Sequence, residues 1–593
     1  MLQKKEILFF DNINLFSFII NLKNIKKKQF FFLKENLTSK ILTFFFKDHL
    51  SQIKWNLLEQ GVGKNKIITS IIENQEVGRF VREYLAFFFR TSNKKILDKD
   101  FYHYLINFIS FDQNIIGSFS VQKFLISYFV IKNRYPNKKI TFFFEKNIFE
   151  KYIKNNYQNK KIKFIFYYQF LNIFLFTRYL GFLKILYYPI KNFFVKKLPL
   201  SSKPICVIDS YEMNNPNEFF SEKKFRDKIL FIDVKDNDKK NIFNIYRLIN
   251  FSIYSFFFKT VFKYIFYYKN IFMNFFLIRF TLEKEVFSSI FKKKNVKVFA
   301  STSITALHNV PAVAAIHSYK GTSVGYFTSF VERFTTYQNI DLFNYFLSFN
   351  SCLFKKNINS NLIKVLNFGY VRDYKFKDAR KKSIILRKSL INNGAKYIIG
   401  FFDQGSTADT LFSIGHEPSR SGYEFLLKKI ISNPEFGLII KPKKPKLLKE
   451  KLGKVYDILL EAQATKRCIV FENFHPNHVK NFKDIPAKIA LASDLTIHDT
   501  LLAGTAGLES ALCSKKSIFF DYYHSTKSLF LDKKLNIVYK DWDILWEQIM
   551  KDSNGISGSN FGNWSTIIDQ FDSYRDGKAN KRISSLLKSL IKK

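Results

Sequence analysis

The sequence predicts an α/β protein with two parallel-sheet domains facing across a cleft, preceded by an N-terminal α/β extension. Three observations predict it. Short apolar runs of strand length alternate with helix-length segments twice in succession, over residues 201–375 and 376–593, the pattern that makes parallel sheets with crossover helices. At 593 residues the chain is also too long for one core, since single cores stop growing near 250–300 residues. Glycine is unevenly placed, with five in residues 1–200 and thirteen from residue 391 onward. Tight turns beside ligands need glycine, so the site is expected late in the chain.

Residues 1–200 read as alternating helices and short strands of no assignable role. Lys138–Phe144 and Lys161–Tyr168 are expected strands flanked by Lys/Asn-rich turns. Within 201–375, Lys203–Ser210 forms a strand whose end carries Asp209 and Glu212. Val296–Ala300 runs into Ser301-Thr302-Ser303, a helix-capping signal. Thr322–Phe330, Tyr345–Phe349 and Lys364–Phe368 continue as strands. After a charged stretch, Arg372–Lys388, the second alternation sets strands at Tyr397–Phe402, Phe436–Ile440, Cys468–Phe471, Asp494–Ile497 and Ser517–Phe520. Helices are expected at Gly422–Ile431, Ile485–Leu491 and Leu508–Cys513, and 409–423 reads largely as loop. Two such units in series suggest Rossmann-like domains, with ligands beyond the carboxyl ends of their strands.

Composition bounds the partners. The formal charge is +46, with Lys, Asn, Ile, Phe and Tyr abundant and Ala, Gly and Arg scarce, the bias an AT-rich coding sequence imposes. The charge is either a solvated lysine surface or a field favouring anions. Nucleic acid is not expected, because no helix-turn-helix, zinc, RRM or KH signature is present. Cys206, Cys352, Cys468 and Cys513 are widely spaced, and His475 and His478 stand alone. Zinc and disulfides therefore drop out, and buried thiols in a reducing cytoplasm are expected. The start MLQKKEILFF lacks a signal peptide's apolar stretch. Tyr167–Phe194 and Ile253–Phe280 are aromatic but interrupted by Lys and Arg, so neither offers roughly 20 apolar residues for a span. Each is either a helix lying on the inner, anionic face of a membrane or an ordinary buried helix edged with lysine.

The stretch that carries chemistry is Ala492–Asp521. A strand ends, a loop turns, and Gly504, Thr505, Ala506 and Gly507 open a helix with little side-chain bulk. Backbone amides there can approach a pyrophosphate, helped by the helix dipole. Glu509 lies in the first turn, able to accept from ribose hydroxyls. This arrangement resembles the donor site of GT-B glycosyltransferases and is similar to the peptidoglycan N-acetylglucosaminyltransferase and UDP-GlcNAc 2-epimerases, with Ser514-Lys515-Lys516 where glycine usually stands. The resemblance implies that Gly504–Gly507 hold a diphosphate and Glu509 a ribose. On that reading Glu509→Ala abolishes nucleotide binding and leaves the unliganded melting point unchanged.

Leu438–Lys443 resembles the strand and basic tip of surface-polysaccharide and polyol-phosphate transferases. The implied role of Lys441 or Lys443 is to neutralise phosphate as the donor departs. Gly405, Ser406 and Thr407, after the first strand of the last domain, are further phosphate candidates. Asp209, Glu212 and His317 are candidates for deprotonating an acceptor hydroxyl, a buried structural histidine being the alternative for His317. In the tail Phe571–Ile583, Arg575 and Asp576 are expected to pair.

The implied activity is transfer of a sugar from a nucleotide-sugar co-substrate to a surface-polysaccharide or lipid-linked glycan acceptor. No resident cofactor or metal is implied. Inversion is favoured, since Leu501 stands eight residues before Glu509 where many retaining enzymes have Glu. The alternatives are a UDP-sugar 2-epimerase and a non-catalytic assembly or export protein on the same architecture.

Overall fold

The computed structural model describes residues 6–12, 27–34, 37–46, 49–52, 75–91, 104, 121–145, 149–167, 186–187, 189–190, 206–209, 219–220, 222–233, 243–244, 251–269, 271–301, 308–326, 342–348, 363–405, 416–471, 485–501, 504–522, 528–532, 534–556, 558 and 560–592. Among the described residues eighteen strands form three sheets, and every pairing between them is parallel. Burial on both faces by crossover helices is what such sheets require, and the strand residues are correspondingly apolar.

The first sheet contains β1 (Glu6–Asn12), β2 (Lys28–Lys34), β3 (Leu50–Gln52), β4 (Ile140–Glu145) and β5 (Ile162–Tyr167), in the order β3-β2-β1-β4-β5. The second contains β6 (Cys206–Asp209), β7 (Ile229–Asp233), β8 (Phe243–Asn244), β9 (Val298–Ser301), β10 (Thr322–Tyr326), β11 (Tyr345–Ser348) and β12 (Lys364–Asn367). Its order is β12-β11-β10-β9-β6-β7-β8. The third contains β13 (Tyr397–Phe402), β14 (Phe436–Lys441), β15 (Cys468–Val470), β16 (Leu495–His498), β17 (Lys516–Phe520) and β18 (Val538–Tyr539), ordered β15-β14-β13-β16-β17-β18. In each sheet the chain starts centrally, winds to one edge, then crosses back and winds to the other. This is the doubly wound topology, and its crevice lies where the winding reverses. The reversal falls between β1 and β4, β6 and β9, and β13 and β16.

The N-terminal region is thus a sheet of the same winding as the other two. Its core is aromatic because its strands are: Phe142 and Phe164 stack at 5.2 Å, and Phe9 lies 5.5 Å from Phe142. Offset rings at such distances contribute beyond their buried area.

Several expected elements differ. The charged stretch after residue 372, to which the sequence assigns no element, is a helix, Phe376–Ile391, amphipathic enough to bury Ala379, Ser383 and Leu390. The expected loop at 409–423 is helical from His416, in the helix His416–Ser432, because Pro418 and Gly422 sit where a first turn tolerates proline and a close packing contact excludes a side chain. The helix after β9 begins at Asn309 rather than at the Ser301-Thr302-Ser303 signal; Thr302 and Ser303 lie outside the described residues. Arg575 pairs with Asp569 at 2.5 Å, and Asp576 with Arg582 at 2.9 Å, so the adjacent pair expected in the tail is not formed.

The last helix, Ala579–Lys592, leaves the third sheet and covers the second. Ile583, Leu587 and Leu590 pack in one apolar cluster with Cys206, Ile208 and Phe225. Asn580 donates to the Phe219 carbonyl at 3.1 Å. Cys206, Cys468 and Cys513 are buried free thiols, and Cys352, His475 and His478 lie outside the described residues. No described helix is long and apolar enough to cross a membrane.

Candidate functional site

The crevice of the third sheet collects polar groups that its apolar strands deliver to their carboxyl ends. β13 ends into Asp403, β14 in Lys441, and β16 in His498 followed by Asp499; all four are buried. Asp403 accepts from Tyr423 Oη at 2.6 Å, from Lys451 Nζ at 2.5 Å and from the Lys443 amide at 3.3 Å. Burial opposes its charge, but Lys451 and these hydrogen bonds outweigh it and hold the carboxyl below the usual range.

Asp499 accepts from the Gln404 amide at 2.7 Å through one oxygen, and its second oxygen has no protein partner. Burial, then the neighbouring Asp403, push it up to about 7. His498 is pushed down to about 4, mainly by burial, and is neutral at pH 7. Its Nδ1 lies 2.9 Å from the Thr500 carbonyl. The Thr500 amide also faces Nδ1, at 3.3 Å, so this one residue holds the ring edge through both its carbonyl and its N–H.

Asp499 gives a pH prediction. An acid whose folded value lies above its unfolded one, near 3.8, costs stability as pH rises between the two. Asp499→Asn keeps an acceptor for Gln404 and removes the charge. The variant is expected to melt above the parent at pH 8 and to match it near pH 4. Equal melting at both pH values would contradict the assignment.

The helix Thr505–Leu512 starts over the same edge. Ala506 packs against the cluster holding Phe402, the last residue of β13, and Ile439 of β14. Thr505 and Ala506, in the first turn of this helix, are half-buried. Lys441 is close enough to act electrostatically on Glu509, as is Arg372. Gly405 has φ +83°, a left-handed conformation that glycine adopts freely, and the Lys443 stem lies against its open side, 3.3 Å from where a Cβ would stand. The structure therefore gathers Gly405, Lys441, Lys443 and the turn Gly504–Gly507 around one crevice.

Gly504 and Gly507 also have a packing reason. A Cβ on Gly504 would stand 2.2 Å from the Phe519 ring, and one on Gly507 2.7 Å. Phe519 is fully buried against Phe530 and Trp564, so it cannot yield freely. Gly504→Ala is expected to cost ~1–3 kcal/mol, against almost nothing for Gly558→Ala, which has open space. Chemical denaturation of the two variants measures the difference.

Other expected site residues fall elsewhere. Glu509 is wholly buried, accepting from Tyr370 Oη at 2.6 Å and the Ala487 amide at 2.7 Å. Burial raises its carboxyl above the ordinary range, partly offset by Arg372. Both oxygens are taken up inside the protein, so the ribose contact implied by the resemblance has no open oxygen here. His317 is engaged at both nitrogens: Nδ1 with Tyr104 Oη at 2.7 Å, Nε2 with Ser323 Oγ at 2.8 Å and Asn344 Oδ1 at 2.9 Å. It ties β10 to the start of β11 and has no nitrogen left for an acceptor proton. Asp209 ends β6 at the crevice of the second sheet, in register with Ser301. Ser406, Thr407 and Glu212 lie outside the described residues. Among the described residues no group of His, Cys, Asp and Glu could hold a metal ion.

Asp403, Lys451, Tyr423, His498 and Asp499 were not expected as site residues. The available signal was an aspartate directly after each of two apolar strands, in FFDQ and TIHD.

No family model matches the chain, and no curated protein matches it. Among solved structures it is similar to the wall teichoic acid polymerase TagF, at 12% identity and TM-score 0.40, over 70% of this chain and 97% of that one. Alr3699/HepE from Anabaena in complex with UDP and glucose aligns at 12% identity and TM-score 0.37, over 65% and 99%. MnaA from S. aureus with UDP aligns at 10% identity and TM-score 0.36, over 66% and 97%.

Proposed function

We propose that this chain is a GT-B glycosyltransferase, moving a sugar from a nucleotide-sugar donor to a surface-polysaccharide or lipid-linked glycan acceptor. The observation that carries the reading is the third-sheet crevice. There the small-residue start of helix Thr505–Leu512 meets Lys441 and Lys443 at the point where the winding reverses.

In this reading the amides of Thr505 and Ala506 and the two lysines take the diphosphate. They stabilise the negative charge that grows on it as the glycosidic bond breaks, a task fixed donors perform with little reorganisation. The same charges make a bound divalent ion unnecessary. Asp403 and Asp499 join the turns after β13, β14 and β16 into one rigid floor. Of the acceptor-side candidates, Asp209 at the second-sheet crevice is retained as the base, with inversion at the sugar carbon.

A thermal-shift screen across UDP, GDP, CDP and CMP compounds tests this. One nucleoside diphosphate is expected to raise the melting point by a few degrees at about 100 times its dissociation constant. Lys443→Ala, which removes an ammonium group that reaches solvent and a stem packed on Gly405, is expected to remove that rise while the unliganded protein stays folded. No shift with any nucleotide would overturn the proposal. Conversion of UDP-N-acetylglucosamine without an acceptor would replace transfer by epimerisation.

A further inference from the structure

One surface differs from the ordinary lysine-rich exterior. The helix Ser252–Tyr264 buries Ile253, Phe257 and Tyr264, yet its other face is aromatic as well. Phe258 and Phe262, with Phe266 in the turn that follows the helix, are spaced four residues apart and are 54, 77 and 88% exposed. Lys259, Lys263 and Lys269 are exposed beside them. Solvent-facing rings in a row are not needed for folding, because the inner face already satisfies the core.

We propose that this outer face docks on an anionic membrane surface, with the three rings entering the headgroup boundary and the lysines held at its phosphates. The charge pattern selects that occupant. Between Lys240 and Glu283 the sequence has no acidic residue, while Arg247, Lys259, Lys263, Lys269 and Arg279 are basic. A second copy of a chain with formal charge +46 would bring like charge to like, whereas anionic lipid supplies the opposite sign at high density. Lysine stems lie along apolar surface while their ammonium groups reach outward, which suits a helix lying in the interface plane. The segment is not a span. This inference does not depend on the glycosyltransferase reading.

The test uses the full chain with vesicles of phosphatidylcholine alone or mixed with phosphatidylglycerol, read by flotation. Binding is expected only to the mixed vesicles, weakening as salt is raised from 0.05 to about 0.5 M. Phe262→Ser with Phe266→Ser, and separately Lys259→Glu with Lys263→Glu, are each expected to weaken it at least about tenfold with unchanged melting. Phe266→Trp adds a fifth tryptophan to the parent's four; its emission, taken as the difference from the parent's, is expected to shift to the blue on the mixed vesicles. Equal binding by parent and variants, no binding to mixed vesicles, or an unshifted Trp emission would overturn the proposal. So would self-association by light scattering that the serine variant abolishes, since the face would then meet a second copy.

Discussion

Lys451→Met is expected to destabilise the protein by ~3–5 kcal/mol at neutral pH. Lys451 is 5% exposed, its ammonium lies 2.5 Å from Asp403, and it sits over the Tyr423 ring. Methionine fills the same space and keeps the ring contact but leaves Asp403 charged in a dry site beside Asp499. The sign with pH follows. Asp403 is held below its usual range in the parent, so the stability it contributes is present above the unfolded carboxyl value and is lost as pH falls through the folded one. The gap between parent and variant is therefore largest at pH 7–8 and narrows below about pH 4. Adding Asp403→Asn should restore most of the loss, since a buried pair removed on both sides costs far less than one broken on one side. Urea denaturation of parent, single and double variants decides it; a single variant as stable as the parent would contradict the buried pair.

Glu509→Ala should lose roughly 2–4 kcal/mol, through a cavity and an unsatisfied Tyr370 hydroxyl and Ala487 amide. This reverses the expectation drawn from sequence, where the residue faced a ligand and its loss left unliganded melting untouched. Glu509→Gln separates the two roles. An amide can accept from Ala487 and meet the Tyr370 oxygen, so a positioning residue tolerates it and nucleotide binding persists. A ribose ligand would not, and the nucleotide-induced thermal shift would fall while unliganded melting stayed near the parent's.

The strands were legible because period and length are local. Tyr397–Phe402 and Ser517–Phe520 are largely apolar runs bounded by turn residues, and the structure places strands there, the second starting one residue earlier at Lys516. The expected turn Gly504–Gly507 likewise opens a helix at a crevice. What the sequence hid is tertiary. Nothing local marks Tyr370 as the partner of Glu509 across 139 residues, or Lys451 as that of Asp403 across 48. Glu509 reads from sequence as a first-turn ligand, but the helix begins at Thr505, which puts it in the second turn with the Tyr370 hydroxyl lying on it. His317 was equally opaque, because its partner Tyr104 is 213 residues away. The first sheet's winding was missed because β1 and β2 are flanked by the same Lys, Asn and Phe that fill the rest of that region.

The placement of helix Ala579–Lys592 also dictates an order of events in synthesis. Its Asn580 reaches a carbonyl 361 residues earlier, and its leucines roof apolar side chains at Cys206, Ile208 and Phe225. Until residue 590 has left the ribosome, that patch stays open to water. At roughly 5–20 residues per second, the wait is tens of seconds. The central module is thus the last to mature, although the ribosome completes its own strands long before those of the module that follows.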